Sequence, residues 1–532
     1  MAVAGAVSEQ GFAAVNAARG TDENLTQQLK GEYAKMVADV RAVFDSGRTK
    51  EVAWRKQQLK GIIKGAKAHK DEIVAALQQD LGGPKLRSIG DLLPIIGDAE
   101  YALKMVDQWA APQFPASTEP LPLTLGSTAS MRPEPKGVTL NVAPWNFPFA
   151  MCFQPLAAAV AAGCPMILKP SEMAPASAEV IKKIIEGYMD NECYKVVLGA
   201  VPETTALLAQ KWDHIFYTGN GSIGRVVMEA AAKNLTPMTL ELGGKSPVLI
   251  DSTAKLDAAV NRIFYAKNLN CGQICIAPDY VMVHEAVADE FIKKFVGQIQ
   301  KSYGASAKDH EHWGKIINGR HCERLRRLIE TSCGEVVCGG LDEIDVEARH
   351  VPLTVIKNPD MASPVMNEEV FGPVLPIVIV KDMQEGIRVV REKERPLALY
   401  IFSEDQKFVE HVLSTCTSGG ACVNSCLEQI AANKELPFGG TGASGFGKYH
   451  GRFGFEEFSH LRAVLYKTTM TSQSILPPPE QCPPWLFDVA MKVLVTGFVS
   501  DELKEKLEGL KKVGGVAVAA AVAGMLFKRS KL

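Results

Sequence analysis

The sequence predicts an α/β protein organised around a parallel, doubly wound sheet, and three observations carry that prediction. Short runs rich in β-branched and aromatic residues (KVVLGA, HIFYTG, PVLI, YVMV) alternate with helix-like stretches such as VIKKIIEGYMD and SIGRVVMEAAAK. The chain has 532 residues, too many for one compact core, so two or more domains are expected. Gly219, Gly221 and Gly224 form a G-x-G-x-x-G between a strand-like run and a helix-like one.

The elements follow in order. Residues 1–20 are small and weakly apolar and lack the basic start and apolar run of a secretory leader, and residues 1–30 read as a loose extension. From about Gly31 to Gly82 apolar residues recur at helical spacing: Val37, Val40, Val43 and Phe44, then Leu59, Ile62 and Ile63. Asp71 is placed to cap a further helix carrying Ile73, Val74 and Leu77. Within the Pro-rich stretch 112–135, LPLTLGSTASMRPEP reads as an extended excursion or hairpin. GVTLNVAP is a strand, Leu156 to Ala162 a helix and MILKP a buried strand. After about Lys467 the texture changes to a linker, ILPPPEQCPP, and an appended helical tail.

Composition narrows the function. Hydrophobic residues make up 47% and charged residues 22%, ordinary for a globular chain. A formal net charge of -2 gives no basic surface for nucleic acid. The 12 cysteines contain no C-x-x-C pair or disulfide ladder, which suits a reducing compartment. Cys271 and Cys275, and Cys422 and Cys426, lack the nearby partners a zinc site needs, so no metal is expected.

Three segments are candidates for chemistry. The glycine turn brings backbone N–H groups and a helix N-terminus toward a pyrophosphate, or else serves only the fold. NCGQICIAPDY places Cys271 and Cys275 in a polar, Gly-containing stretch that suits an accessible thiol, and the residues alone do not separate the two. LELGGKSP sets Glu241 beside two glycines, where backbone approaches something closely. Glu241 also lies where such a glycine turn seeks a ribose ligand.

Taken together the motifs resemble the aldehyde dehydrogenase superfamily. APWNFPF, ILKPSE, LELGGKSP, NCGQICIAPDY, EEVFGPVLP and PFGGTGASGFGKYHGRFGFEEFSH occur in the family's order. The similarity runs from about Glu32 to Lys467. APDY after the cysteine, with YHG and FSH near the end, is similar to class 3, the branch that holds fatty aldehyde dehydrogenases. The resemblance implies a Rossmann-type cofactor domain at 31–240, interrupted by an oligomerisation hairpin near 115–135. It also implies a catalytic domain at 241–445, an oligomerisation or closing segment at 446–470, and a homodimer.

The resemblance implies roles as well. Cys275 would attack the aldehyde carbon. Asn146 and the Cys275 backbone N–H would hold the oxyanion. Glu241 would activate the water that hydrolyses the thioester, and so takes a catalytic role in place of the ribose. Lys169 and Glu172 would hold the adenine ribose, with NAD favoured over NADP because a carboxylate repels a 2′-phosphate. Glu369 and Phe371 would hold the nicotinamide end, and Gly219, Gly221 and Gly224 the cofactor turn. NSCLEQIAANKEL, between Asn424 and Pro437, departs from the class pattern and is expected at the substrate entrance.

The tail adds expectations of location. Val513 to Phe527 carries no charge and is flanked by Lys511, Lys512, Lys528 and Arg529, a short candidate for membrane association. Ser530, Lys531 and Leu532 match a receptor-read peroxisomal address. The endoplasmic reticulum membrane and the cytoplasm are the alternatives. The expected function is NAD(P)-dependent oxidation of medium- or long-chain aliphatic aldehydes. A broad or aromatic-aldehyde enzyme of the same class is the alternative, and a non-catalytic binding protein on this fold is remote.

Overall fold

The computed structural model describes residues 23–116, 127–308, 310–430 and 433–467. Both tail signals and the first part of the predicted extension lie outside the described residues. The chain divides into two compact units: residues 1–110 with 134–460, and residues 111–133 with 461–532.

The larger unit opens with helices. α1 (Glu23–Asp45) starts earlier than Gly31, and its first turns carry Leu25 and Leu29 at helical spacing with Tyr33 and Val37. α2 (Val52–Ala68), α3 (Lys70–Leu81) and α4 (Ile89–Ala110) follow. Asp71 is not the cap of α3. His69 occupies that position, and Asp71 sits inside the first turn, where a negative charge suits the helix dipole. In the smaller unit β1 (Ser127–Pro135) pairs with β15 (Ser459–Lys467) in a two-stranded sheet.

The first large sheet follows from the alternating pattern. Its strands are β2 (Thr139–Val142), β3 (Met166–Lys169), β4 (Tyr194–Val196), β5 (His214–Thr218), β6 (Met238–Glu241) and β14 (Gly445–Phe446). The crossovers are α5 (Pro148–Ala162), α6 (Pro175–Tyr188), α7 (Val201–Leu208) and α8 (Gly221–Ala232). The order is β14-β6-β5-β2-β3-β4, parallel except for β14 against β6. Helices α2 to α6 share one core with β3 and β4, while α1, α7 and α8 share another with β2, β5 and β6. Strand order reverses between β2 and β5, and ligands bind outside the carboxyl ends of strands at such a switch point.

The second sheet runs β13-β12-β7-β8-β11-β10-β9. Its strands are β7 (Pro247–Ile250), β8 (Tyr280–His284), β9 (Glu335–Cys338), β10 (Thr354–Lys357), β11 (Val374–Val380), β12 (Ala398–Phe402) and β13 (Gly420–Val423). α9 (Leu256–Asn268), α10 (Glu285–Tyr303), α11 (Gly319–Glu330), α12 (Met383–Glu392) and α13 (Gln406–Thr415) connect them, and α14 (Gly451–Glu457) precedes β15. The β10–β9 pair is antiparallel; the other neighbours are parallel. Val, Ile and Leu fill β7, β8 and β11, as a sheet covered on both faces requires.

Candidate active site

The two sheets of the larger unit enclose a cleft of about 2530 Å³. Asn146, Lys169, Gly219 and Glu241 all sit at or just beyond the carboxyl ends of first-sheet strands. Cys275 lies ahead of β8, and Glu369 and Phe371 lie ahead of β11. The cleft lining contains Asn146, Lys169, Glu172, Gly219, Glu241, Cys275, Glu369 and Phe371.

The cysteine loop is built on unusual backbone. Asn270 and Cys271 each have φ of 52° and Gly272 has φ of 69°, a left-handed run that costs energy at the two non-glycine positions. A Cβ on Gly272 would lie 2.4 Å from the Gly372 carbonyl oxygen, so glycine is required there. Gln273 braces the loop: its amide donates to the carbonyls of Asn270 (3.0 Å) and Lys315 (3.1 Å), and its Oε1 accepts from Ile317 N (3.0 Å). The result separates the two cysteines. Cys271 is buried against Gly314, off the cleft, whereas Cys275 is partly exposed on the cleft wall. Burial pushes the Cys275 thiol up to about 12, with the charges of Glu369 and Glu241 acting the same way. The N–H groups of Cys275 and Ile276 pull in the opposite direction.

Asn146 follows β2, with its side-chain Nδ2 donating to the Gln273 carbonyl at 3.1 Å. An amide nitrogen carries two hydrogens, so one remains for a ligand. Glu241 ends β6, is 2% exposed, and neither carboxylate oxygen has a partner among the described residues. Burial raises its pKa well above the ordinary glutamate range, and Glu457 adds to the shift. A buried carboxyl with no partner among the described residues, on the same cleft lining as a thiol, marks a candidate functional site. Tyr449 lines the same region and its phenol feels the charges of both Glu241 and Cys275. Among the described residues its hydroxyl meets the Met151 sulfur, at 3.8 Å. In the sequence Tyr449 has no role beyond its place in YHG, because its neighbours come from remote segments.

The other arm of the cleft fits a nicotinamide dinucleotide. Lys169 is buried, and its ammonium donates to the Pro170 carbonyl (2.8 Å) and to Glu172 Oε2 (3.2 Å), presenting a cation and a carboxylate together. Gly219 N donates to the Glu241 carbonyl at 3.0 Å, tying the glycine turn to β6. A Cβ on Gly219 would collide with the Tyr217 hydroxyl at 2.3 Å. Gly221 and Gly224 are not on the cleft lining: Gly221 opens α8, and Gly224 packs against Leu242. Glu369 is held by burial at a pKa of about 8, and its Oε1 is unpartnered. That oxygen would lie 2.2 Å from a Cβ on Gly243, so only glycine admits it. Phe371, with φ of 44°, meets Trp145 edge-on at 5.4 Å. Behind them Lys245 and Asp279 form a buried pair at 2.6 Å, and Asp279 Oδ1 accepts Val370 N at 2.8 Å. Unpartnered acceptors and a cation at the two ends of this arm suit the two riboses of the dinucleotide.

Among the described residues no group of three or more His, Cys, Asp or Glu side chains is arranged to hold a metal. Among the same residues no helix is long and apolar enough to cross a membrane.

The model of the aldehyde dehydrogenase family matches residues 8–464. The chain belongs to the aldehyde dehydrogenase family. Its reaction is the oxidation of an aldehyde with NAD or NADP as acceptor. It is 41% identical over 434 residues to rat aldehyde dehydrogenase family 3 member A2, covering 81% of this chain and 88% of that protein. It is 38% identical to the dimeric NADP-preferring aldehyde dehydrogenase of the dog, covering 84% of this chain and 96% of the relative. Among solved structures, the substrate-bound state of Staphylococcus aureus AldH superposes with a TM-score of 0.82 at 35% identity, covering 86% of this chain and 98% of that one. The aldehyde dehydrogenase-like fold expected from the motifs is therefore the fold this chain adopts.

Proposed function

We propose that this enzyme oxidises medium- and long-chain aliphatic aldehydes to carboxylic acids. The carrying observation is the apolar arm of the cleft. Leu86 and Leu93, 73% and 66% exposed, stand on its lining with Ile89, Pro94, Phe147 and Met151. Exposed large apolar side chains at a cleft suit an acyl chain, each buried methylene of which contributes about 0.8 kcal/mol. Cys426, Leu427, Glu428 and Lys434, from the segment that departs from the class pattern, line the cleft too. The rings of Phe147, Phe438 and Tyr449 also suit a planar aldehyde, so aromatic aldehydes are a second substrate group.

The chemistry follows from the residues. Cys275 gives its proton to solvent water, and the thiolate sulfur bonds to the aldehyde carbon, giving a tetrahedral thiohemiacetal oxyanion. The free amide hydrogen of Asn146 and the Cys275 N–H hold that oxygen, each such donor being worth roughly 3 kcal/mol in the transition state. A nicotinamide dinucleotide held in this cleft would supply the hydride acceptor that collapse of the oxyanion needs. Cys275 is left as a thioester. Glu241 takes a proton from water, which attacks the thioester carbon and frees the acid and the thiol. Lys169 and Glu172 orient the adenine ribose, and Glu369 and Phe371 the nicotinamide end. The Glu172 carboxylate favours NAD over NADP.

The test is formation of reduced nicotinamide from NAD with aldehydes of increasing chain length and with benzaldehyde, for wild type and Cys275→Ala. Rates that climb with chain length and vanish in the variant are expected. Activity confined to short or aromatic aldehydes would sink the fatty-aldehyde reading.

Two further proposals concern the whole chain. It forms a homodimer, as the dog relative's name describes for that protein. It is peroxisomal through Ser530, Lys531 and Leu532, read by the import receptor, with residues 513–527 available for membrane association. Deleting those last three residues from a tagged full-length chain should abolish peroxisomal location; unchanged location would refute the address.

A further inference from the structure

The turn that leads into α4, Lys85–Ser88, carries Arg87 into the cleft wall. Arg87 is 5% exposed, and burial lowers its pKa. Its guanidinium makes one hydrogen bond: Nη2 donates to the main-chain carbonyl of Asn146 at 3.1 Å. Nε and Nη1 are buried without a partner among the described residues. A guanidinium is costly to bury unless its donors are used.

Two other arginines, Arg55 buried and Arg349 half-buried, show what a structural role looks like. Arg55 donates to three carbonyls, of Thr49 (2.9 Å), Ala161 (3.0 Å) and Lys50 (2.9 Å). Arg349 likewise cross-links the carbonyls of Asp80 (2.8 Å) and Ile317 (3.0 Å). Arg87 cross-links little. It commits one donor, and that donor goes to the peptide bearing the Asn146 side chain.

That peptide is held from two sides. Asn270, on the cysteine loop, donates through Nδ2 to the same Asn146 carbonyl at 2.9 Å. One turn beyond Arg87, Asp91 accepts the N–H groups of Phe149 (3.1 Å) and Ala150 (2.9 Å). The start of α4 thus grips residues 146–150 with a cation on a carbonyl and an anion on two N–H groups.

We propose that Arg87 is a positioning residue for the oxyanion site, fixing the Asn146 peptide so that its side-chain amide meets the oxygen that becomes negative. The proposal rests on the reading of Asn146 as oxyanion donor. With one amide hydrogen fixed on Gln273, the direction of the other is set by where the peptide sits. The positive charge of Arg87 in the same wall also favours the oxyanion over the neutral aldehyde, so its effect belongs to the chemical step rather than to aldehyde binding.

The experiment uses full-length Arg87→Met, Arg87→Lys, Asn146→Ala and the Asn146→Ala/Arg87→Met double variant. Three quantities are measured: the first-turnover rate of reduced nicotinamide formation, the KM for aldehyde, and alkylation of Cys275 by iodoacetamide, which needs no oxyanion site. Arg87→Met should slow the first turnover by about 10- to 100-fold, the scale of a misplaced reacting group. KM and alkylation should hold within about twofold, and Arg87→Lys should recover most of the loss. In the Asn146→Ala background the same change should cost less than about threefold, because coupled residues are not additive. Equal losses in both backgrounds, or a parallel fall in alkylation and Tm, would overturn the proposal and leave a structural arginine. If Arg87→Met does not fold, the cycle is run with Arg87→Gln, which also lacks the charge, under the same criteria. Asn146→Ala with undiminished first turnover would instead defeat the reading of Asn146, and the proposal with it.

Discussion

Glu241 and Cys275 are displaced in the same direction: burial favours the protonated carboxyl and the protonated thiol. Deprotonation of the Cys275 thiol therefore limits its reactivity near neutral pH. Iodoacetamide should alkylate Cys275 at a rate that rises about tenfold per pH unit between pH 7 and 9 in the absence of cofactor, because the thiolate is the nucleophile. A pH-independent rate would mean that the thiol is already ionised. Glu241 also carries a stability consequence. Its folded pKa lies above its unfolded value, so the stability it contributes is complete below the ordinary carboxylate range and declines as pH rises toward the folded value. Glu241→Gln cannot ionise and escapes that decline. The Tm difference between this variant and wild type should move in the variant's favour as pH rises above the ordinary carboxylate range. The same variant should form thioester in one burst and then turn over about 100-fold more slowly, the usual worth of a positioned base. A constant Tm difference, or an unchanged steady state, would count against Glu241 as the buried base.

At the scale of elements, α4 decides what the substrate arm admits. Gly90, Leu93, Pro94 and Gly97 recur at helical spacing and share the cleft lining. Pro94 removes the N–H that would bond the Gly90 carbonyl. Neither glycine has a positive φ, so each position accepts a side chain as far as the backbone is concerned. A Cβ on Gly97 would meet Lys434 Nζ at an ordinary 3.7 Å, whereas one on Gly90 would press on Phe147 at 3.2 Å. Gly97→Leu should therefore fold, with about 1 kcal/mol of helix propensity in its favour, and intrude on the arm. Its kcat/KM for long-chain aldehydes should fall by about tenfold or more while short aldehydes are spared. A uniform loss across chain lengths would place the acyl chain elsewhere. This element also shows where sequence reading ended. The β5–Gly219–α8 unit was legible because its strand is β-branched, its turn glycine-rich and its helix amphipathic. α5 was read only from Leu156 to Ala162, although it begins at Pro148 and buries residues on nearly every side, which erases the period. The motifs brought Cys275, Glu241 and Asn146 to one cleft. The choice between Cys271 and Cys275 rests in the sequence on the motif, and in the structure on the left-handed run that turns one thiol inward. Arg87, Tyr449 and the Lys245–Asp279 brace act through partners brought together by the fold, so local pattern could not assign them roles.

At the scale of the whole molecule, the smaller unit raises a question of partnership. β1 and β15 are nine-residue strands in a sheet with no third member among the described residues. A two-stranded ribbon is marginal in water, and its free edges invite pairing with another chain. β15 nevertheless displays apolar side chains: Leu465 is 68% exposed, and Leu461 and Tyr466 are exposed as well. Polar residues at those positions would be the rule for a ribbon facing solvent. A second copy of the chain is the partner that the proposed homodimer supplies, and a two-fold contact would bury the same leucine twice. Leu465→Asp would place a carboxylate at each symmetry-related position, adding repulsion to the lost apolar area. Association should weaken by about 2 kcal/mol or more for a central contact residue, enough to bring a monomer into view in sedimentation velocity. The cleft residues belong to the larger unit, so Cys275 alkylation should be unaffected in the variant. If Leu465→Asp sediments as a dimer indistinguishable from wild type, this face of β15 is not the contact between copies.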